Sequence, residues 1–137
     1  MRPISSVLIV DDDADHARIA GLVLRTLAPD LSVEVARDAA GAVLALDAQP
    51  RGALVLVDRM LGGVESFDTV VRMHAARPDV TLVMLSAALS SIDRAYALAC
   101  GARDAIEKPG SLAGWRATLA ALLTEGTEAP RPTSRAA

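Results

Sequence analysis

The sequence predicts an α/β fold, a five-stranded parallel sheet with helices on both faces. Three observations predict it. Short apolar runs alternate five times with helix-like stretches. Turn or capping residues stand at most junctions between them. The 137 residues, 52% of them hydrophobic, suffice for one sizeable core and leave no room for a second ordinary domain. Aromatic content is only 2% (Phe67, Tyr96 and Trp115), so that core is built from Val, Leu, Ile and Ala.

Val7-Leu8-Ile9-Val10 is a continuous run, as expected of a strand buried on both faces, and it stops at Asp11. Asp13 caps a helix over 14–27, where Ile19, Leu22, Val23 and Thr26 keep helical spacing before Pro29. Residues 31–36 form the second strand, and Asp38 caps an Ala-rich helix that ends at the turn cluster Gln49-Pro50-Arg51-Gly52. The third strand, 53–57, again stops in acid, at Asp58. Gly62-Gly63 is a turn, too short for a phosphate-cradling loop. A helix over 66–76 follows, with Phe67, Val70, Val71 and His74 at helical spacing. The fourth strand, 80–85, is closed by Ser86, and Ser90 with Asp93 makes a capping box for a helix that ends before Gly101. A short fifth strand, 105–107, leads to Lys108-Pro109, and the last helix, 112–123, packs through Leu112, Trp115, Leu119 and Leu122. Residues 1–124 are read as the folded domain and 125–137 as a disordered tail or linker.

Fourteen basic against seventeen acidic residues give a net charge of -3, without the basic footprint of a nucleic-acid or anionic-membrane binder. No direct DNA contact and no membrane association are therefore expected. The single Cys100 makes no internal disulfide and reads as a core filler. No apolar run reaches the roughly 18 residues of a membrane span, and the short N-terminal apolar stretch is cut off at Asp11. A cytoplasmic location is the expectation.

In a parallel sheet covered by helices, ligands bind beyond the carboxyl ends of the strands. Those ends carry Asp11 and Asp12, Asp58, Ser86 and Lys108. Crowded carboxylates call for a divalent cation, and hard oxygen donors suit Mg²⁺. The remaining groups are a carboxylate that can attack phosphorus, an ammonium that can pair with a phosphoryl oxygen, and a hydroxyl donor. Lys108 is the only lysine in the chain, which marks a role for a compact ammonium. His16 and His74 read as ordinary helix residues.

Over residues 7–123 the sequence resembles the receiver domain of two-component response regulators, in the manner of a chemotaxis-type single-domain receiver. The resemblance rests on Leu8-Ile9-Val10-Asp11-Asp12-Asp13, Leu54-Val55-Leu56-Val57-Asp58-Arg59-Met60-Leu61, Val83-Met84-Leu85-Ser86-Ala87 and Lys108-Pro109, in that order. It implies a flavodoxin-like (βα)5 architecture and a phosphoacceptor role for Asp58. It also implies Mg²⁺ held by Asp12, Asp58 and the Met60 backbone carbonyl, with Asp11 as an outer acidic partner. Ser86 becomes the switch hydroxyl, and Lys108 pairs with the phosphoryl group ahead of a cis bond to Pro109. The implied donor is a histidine kinase or histidine phosphotransfer protein. Such a domain is no enzyme beyond its own phosphotransfer and slow dephosphorylation. With no effector domain expected, its output is contact with a target protein, a homodimer being left open.

Three departures from the family pattern stand out. Leu61-Gly62 and Glu65-Ser66 replace Met-Pro and Asp-Gly after the phosphoacceptor, Ala105 replaces the usual aromatic residue before the lysine, and Gly110 replaces Phe. Signalling through Ser86 and the loop 87–90 without an aromatic rotor is therefore expected. Met60 and Ala88, which flank the path of a hydrolytic water, predict a long-lived phosphoryl group. Two other readings remain: a phosphorylation-independent pseudo-receiver, and a haloacid-dehalogenase-type phosphatase with Asp11 as nucleophile.

Overall fold

The computed structural model describes residues 3–125. The chain runs β1 (Ser6–Val10), α1 (Ala14–Leu27), β2 (Ser32–Ala36), α2 (Ala39–Asp47), β3 (Leu54–Asp58), β4 (Met60–Leu61), β5 (Val64–Glu65), α3 (Phe67–Ala76), β6 (Thr81–Ser86), α4 (Ser91–Cys100), β7 (Asp104–Glu107) and α5 (Leu112–Glu125). Five strands form one parallel sheet in the order β2-β1-β3-β6-β7. The chain leaves β1 toward β2 on one side and returns to β3 on the other. That reversal opens a crevice at the carboxyl ends of β1 and β3, as in flavodoxin-like sheets.

The continuous apolar runs serve two cores at once. Leu8, Val10, Val55, Val57, Leu82 and Met84 face a core closed by Phe67, Val70, Met73 and Ala97. Their neighbours Val7, Ile9, Leu54, Leu56, Val83 and Leu85 face a second core with Ala20, Leu24, Trp115 and Leu119. Side chains alternate across a strand, so a central strand sandwiched between two layers must be apolar at every position. Pairing Val10 with Val57 and Val57 with Met84 levels the strand ends, bringing Asp11, Asp58 and Ser86 to one edge.

Most expected elements recur within one or two residues. The Asp13, Asp38 and Ser90–Asp93 caps form as expected, and Gly101 closes α4 at φ +119°. A side chain on Gly101 would also collide with the His74 ring, 2.6 Å from its Cβ position. Three expected core residues face solvent: Leu22 (55% exposed), Val71 (45%) and Leu112 (69%). Ala20, Val23 and Leu24 carry the packed stripe of α1, Val70 and Met73 that of α3, while Leu112 sits a turn ahead of the Trp115–Leu119 seam. Residues 60–65 form an unforeseen antiparallel hairpin, whose two-residue turn puts Gly62 and Gly63 at φ +60° and +79°. The expected cis bond before Pro109 is absent, every described peptide bond being trans; trans is the lower-energy form even before proline. α5 reaches Glu125, one residue beyond the expected boundary, and the expected tail from 126 onward lies outside the described residues.

Arg77 holds the far end of the sheet together. Its guanidinium donates to both carboxylate oxygens of Asp79 (2.8 and 2.9 Å) and to the carbonyls of Leu46 (2.9 Å), in the last turn of α2, and Gln49 (3.0 Å), just beyond it. Hydrogen bonding to Arg77 holds the Asp79 carboxyl well below the usual range, against the opposing effect of partial burial. Arg77→Ala is expected to cost about 2 kcal/mol in urea unfolding, the scale of lost hydrogen bonds to a charged group. Because the folded Asp79 pKa is depressed, its contribution is complete above the unfolded value near 4 and fades as pH falls below it. The gap between wild type and variant therefore narrows in acid.

Candidate functional site

The strand ends surround a cleft of about 380 Å³ bordered by Asp12, His16, Asp58, Met60, Ser86 and Lys108, among others. Asp11 is buried directly beyond β1. Its Oδ1 accepts the Asp13 N–H at 2.9 Å, turning the chain into α1. Asp12 is exposed, and its Oδ2 accepts the Gly62 N–H at 2.9 Å, which ties the hairpin to the β1 end. Asp58 ends β3, where Oδ1 accepts the Met60 N–H at 3.3 Å and Ser66 Oγ donates to its backbone carbonyl at 2.6 Å. Lys108 is anchored by its backbone N–H on the Ser86 carbonyl at 2.7 Å. Its Nζ reaches Asp11 Oδ2 at 3.0 Å and Asp58 Oδ2 at 3.2 Å.

The expected residues thus converge, with two refinements. Ser86 Oγ donates to the Ala88 carbonyl at 2.7 Å, so in this state the hydroxyl is engaged by its own loop. Arg59, which the sequence reads most simply as an arginine on a solvated face, donates to the same carbonyl at 3.3 Å, pairs with Glu65 at 3.0 Å, and lies 3.5 Å from Asp93 in the first turn of α4. It bridges the hairpin to the loop 87–90 and to α4. His16 is the second residue that the sequence reading missed: its Nδ1 lies 2.9 Å from Lys108 Nζ. The available signal was position, since the first turn of the helix after β1 faces the same sheet edge as Asp11 and Asp12.

Electrostatics make the cleft receptive to positive charge. Burial, then the neighbouring Asp11 charge, raises the Asp58 carboxyl, and Lys108 offsets only part of this. Burial works to lower the Lys108 ammonium, but hydrogen bonds and charge from Asp11, then Asp58, outweigh it and the net shift is upward. The site therefore holds an ammonium between two carboxylates. One ligand oxygen each from Asp11, Asp12 and Asp58 fits within 4.8 Å, a hard-donor set that suits a divalent cation such as Mg²⁺.

A sequence model of the response regulator receiver domain matches residues 7–120. The chain belongs to the response regulator receiver family. It is 39% identical over 103 residues to the DNA-binding response regulator MtrA of Mycobacterium tuberculosis, covering 75% of this chain and 43% of MtrA. It is 33% identical over 127 residues to the transcriptional regulatory protein TcrA of the same species, covering 92% of this chain and 48% of TcrA. The receiver chain thus spans less than half the length of these relatives. A CheY-like receiver domain protein from Methanospirillum hungatei superposes with TM-score 0.75 at 23% identity, covering 90% of this chain and 97% of that one. A response regulator from Burkholderia pseudomallei, solved with a phosphorylated aspartic acid and a calcium ion, superposes with TM-score 0.70 at 23% identity, covering 90% of this chain and 69% of the other.

These relatives correct the exclusion of DNA contact. MtrA is a DNA-binding response regulator, and the net charge of -3 describes a chain that covers under half of it. Charge balance in a receiver excludes nothing about DNA. As to membranes, no helix among the described residues is long and apolar enough to cross one.

Proposed function

We propose that this receiver takes a phosphoryl group on Asp58 from a histidine kinase or histidine phosphotransfer protein in a Mg²⁺-dependent reaction. The observation that carries the reading is Asp58 Oδ2 held 3.2 Å from the only lysine ammonium, beside two further carboxylates at the sheet edge. An Asp58 carboxylate oxygen attacks phosphorus, the new P–O bond replaces the donor's P–N bond, and the departing imidazole keeps the electron pair and takes a proton. Lys108 pairs with a phosphoryl oxygen, and the Ser86 hydroxyl turns from Ala88 to donate to another. Asp11, Asp12, Asp58 and the Met60 carbonyl would hold the cation, which supplies positive charge against the phosphoryl oxygens. The phosphorylated aspartic acid and calcium ion of the Burkholderia neighbour support this assignment. Its test is intact mass after incubation with acetyl phosphate and Mg²⁺, where uptake of one phosphoryl mass is expected.

Signalling follows from the same contacts. With Ala105 buried in place of an aromatic rotor, Ser86 leaving the Ala88 carbonyl removes one of the two side-chain donors, Ser86 and Arg59, that hold that carbonyl in the loop 87–90. Arg59 then carries the loop's movement toward α4 through Asp93. Met60 and Ala88 offer a hydrolytic water no strong side-chain hydrogen bond, so the acyl phosphate is expected to persist for many minutes. A half-life of seconds, followed by phosphate release from purified phosphoprotein, would contradict this.

A further inference from the structure

We propose that His16 is a positioning residue for Lys108, a neutral imidazole that supplies the third acceptor of the ammonium. An ammonium has three N–H donors and no acceptor. Lys108 directs Nζ at Asp11 Oδ2 (3.0 Å), Asp58 Oδ2 (3.2 Å) and His16 Nδ1 (2.9 Å), so the three donors have three partners. The His16 contact is the shortest of them.

The geometry also fixes the tautomer. His16 Nδ1 has two charged neighbours, Lys108 Nζ at 2.9 Å and Asp13 Oδ2 at 3.4 Å. A protonated Nδ1 would serve Asp13 but would set two donors against each other at 2.9 Å. Asp13 caps α1 through Oδ1, which accepts the backbone N–H groups of Asp15 and His16 at 2.9 and 3.1 Å, while its Oδ2 lies farther from Nδ1 (3.4 Å) than Lys108 Nζ does (2.9 Å). The short contact to Lys108 therefore requires a lone pair on Nδ1 and the proton on Nε2. The other charged groups of the cleft are the carboxylates Asp11, Asp12 and Asp58 and the guanidinium of Arg59, which is paired with Glu65 and lies 3.5 Å from Asp93.

A lysine stem is flexible and its head well hydrated, so two carboxylates alone leave its third donor to water. His16 replaces that water from the first turn of α1, on a rigid element, and holds Nζ beside the Asp58 carboxylate. His16 touches neither Asp58 nor the donor in this scheme and acts through Lys108. The consequence for phosphotransfer rests on the proposed function, whereas the positioning itself does not.

The test compares wild type, His16→Leu and His16→Asn. Leucine keeps helix propensity at this part-exposed position and removes the acceptor, while asparagine places Oδ1 close to the Nδ1 position. Because Lys108 is the only lysine, ¹⁵N-lysine labelling gives a single Nζ resonance. In wild type we expect a slowly exchanging ammonium signal at neutral pH and an unprotonated Nδ1 shift for His16, with His74 identified by His74→Gln. His16→Leu should broaden the Nζ signal away, and His16→Asn should restore it. The rate of phosphorylation by acetyl phosphate with Mg²⁺ should fall about tenfold in His16→Leu, the scale of one charge-assisted hydrogen bond, and recover in His16→Asn. An Nζ signal unchanged in His16→Leu, or a protonated Nδ1, overturns the proposal. If no chain takes up phosphoryl while Nζ behaves as expected, the positioning stands and the phosphoacceptor reading falls.

Discussion

Asp58→Asn will take up no phosphoryl group from acetyl phosphate and Mg²⁺, under conditions where wild type gains one phosphoryl mass. The amide keeps the shape and the acceptor oxygen facing Lys108 but lacks a carboxylate lone pair able to attack phosphorus at neutral pH. Asp11→Asn keeps the nucleophile and loses part of the acidic cluster, so its uptake should be weakened and restored by higher Mg²⁺. Asp58→Asn should also make the cation-free protein more stable. Burial and the Asp11 charge raise the folded Asp58 pKa above its unfolded value. Its stabilising contribution is thus present below the unfolded pKa and lost as pH rises through the folded one. At pH 7 the ionised carboxylate is a net cost, and Asp58→Asn should melt higher than wild type by about 2–5 °C. That advantage should shrink toward pH 4, and Mg²⁺ should raise the melting point of wild type more than that of the variant. A phosphoryl adduct that survives in Asp58→Asn would move the acceptor elsewhere in the cleft.

The sheet and the acidic edge were legible because both follow from strand physics. A run such as Leu54-Val55-Leu56-Val57 can be apolar at every position only if both faces are covered, and the next residue then falls where parallel sheets bind ligands. Asp11, Asp58, Ser86 and Lys108 were found in this way. What escaped the sequence depended on side-chain direction or on contacts far apart in the chain. Leu22 and Val71 keep helical spacing yet face water, because the packed stripes run through Ala20, Val23 and Leu24 on α1 and through Val70 and Met73 on α3. The hairpin at 60–65 is too short to show alternation, and Gly62-Gly63 signalled only a turn. His16 was read as an ordinary helix residue because a lone histidine on a helix usually is one, and only the fold brings Lys108, 92 positions away, to 2.9 Å from it. The Ser86 hydroxyl was placed correctly at its strand end, but its bond to Ala88 depends on a loop conformation that no spacing encodes. The error over DNA had a different origin, since net charge describes only the chain counted.

Lys108→Met should be the most destabilising single change at this edge of the sheet. The Lys108 side chain is only 8% exposed, and its partners Asp11 and Asp58 are 6% and 11% exposed. Methionine preserves most of the apolar stem, so the loss is chiefly the ammonium. Two buried carboxylates then face each other uncompensated, and removing one member of such a group costs about 3 kcal/mol or more. At pH 7 without divalent cation the melting point should fall by about 10 °C. Acid should reverse part of this. With Lys108 gone, the influences that already raise Asp58 act unopposed by the ammonium, so protonation of Asp58 relieves the repulsion and the deficit narrows as pH falls toward 4. Mg²⁺ should narrow it at neutral pH by restoring positive charge, which separates this electrostatic cost from simple loss of packing. A packing defect would persist at both pH values and be indifferent to Mg²⁺. Phosphoryl uptake should fall by about a hundredfold even where the cation restores stability, because the cation replaces the missing charge without replacing the hydrogen bond that Nζ makes to the transferring group. A variant as stable as wild type in cation-free buffer at pH 7 would show that water, not Lys108, balances the Asp11 and Asp58 charges.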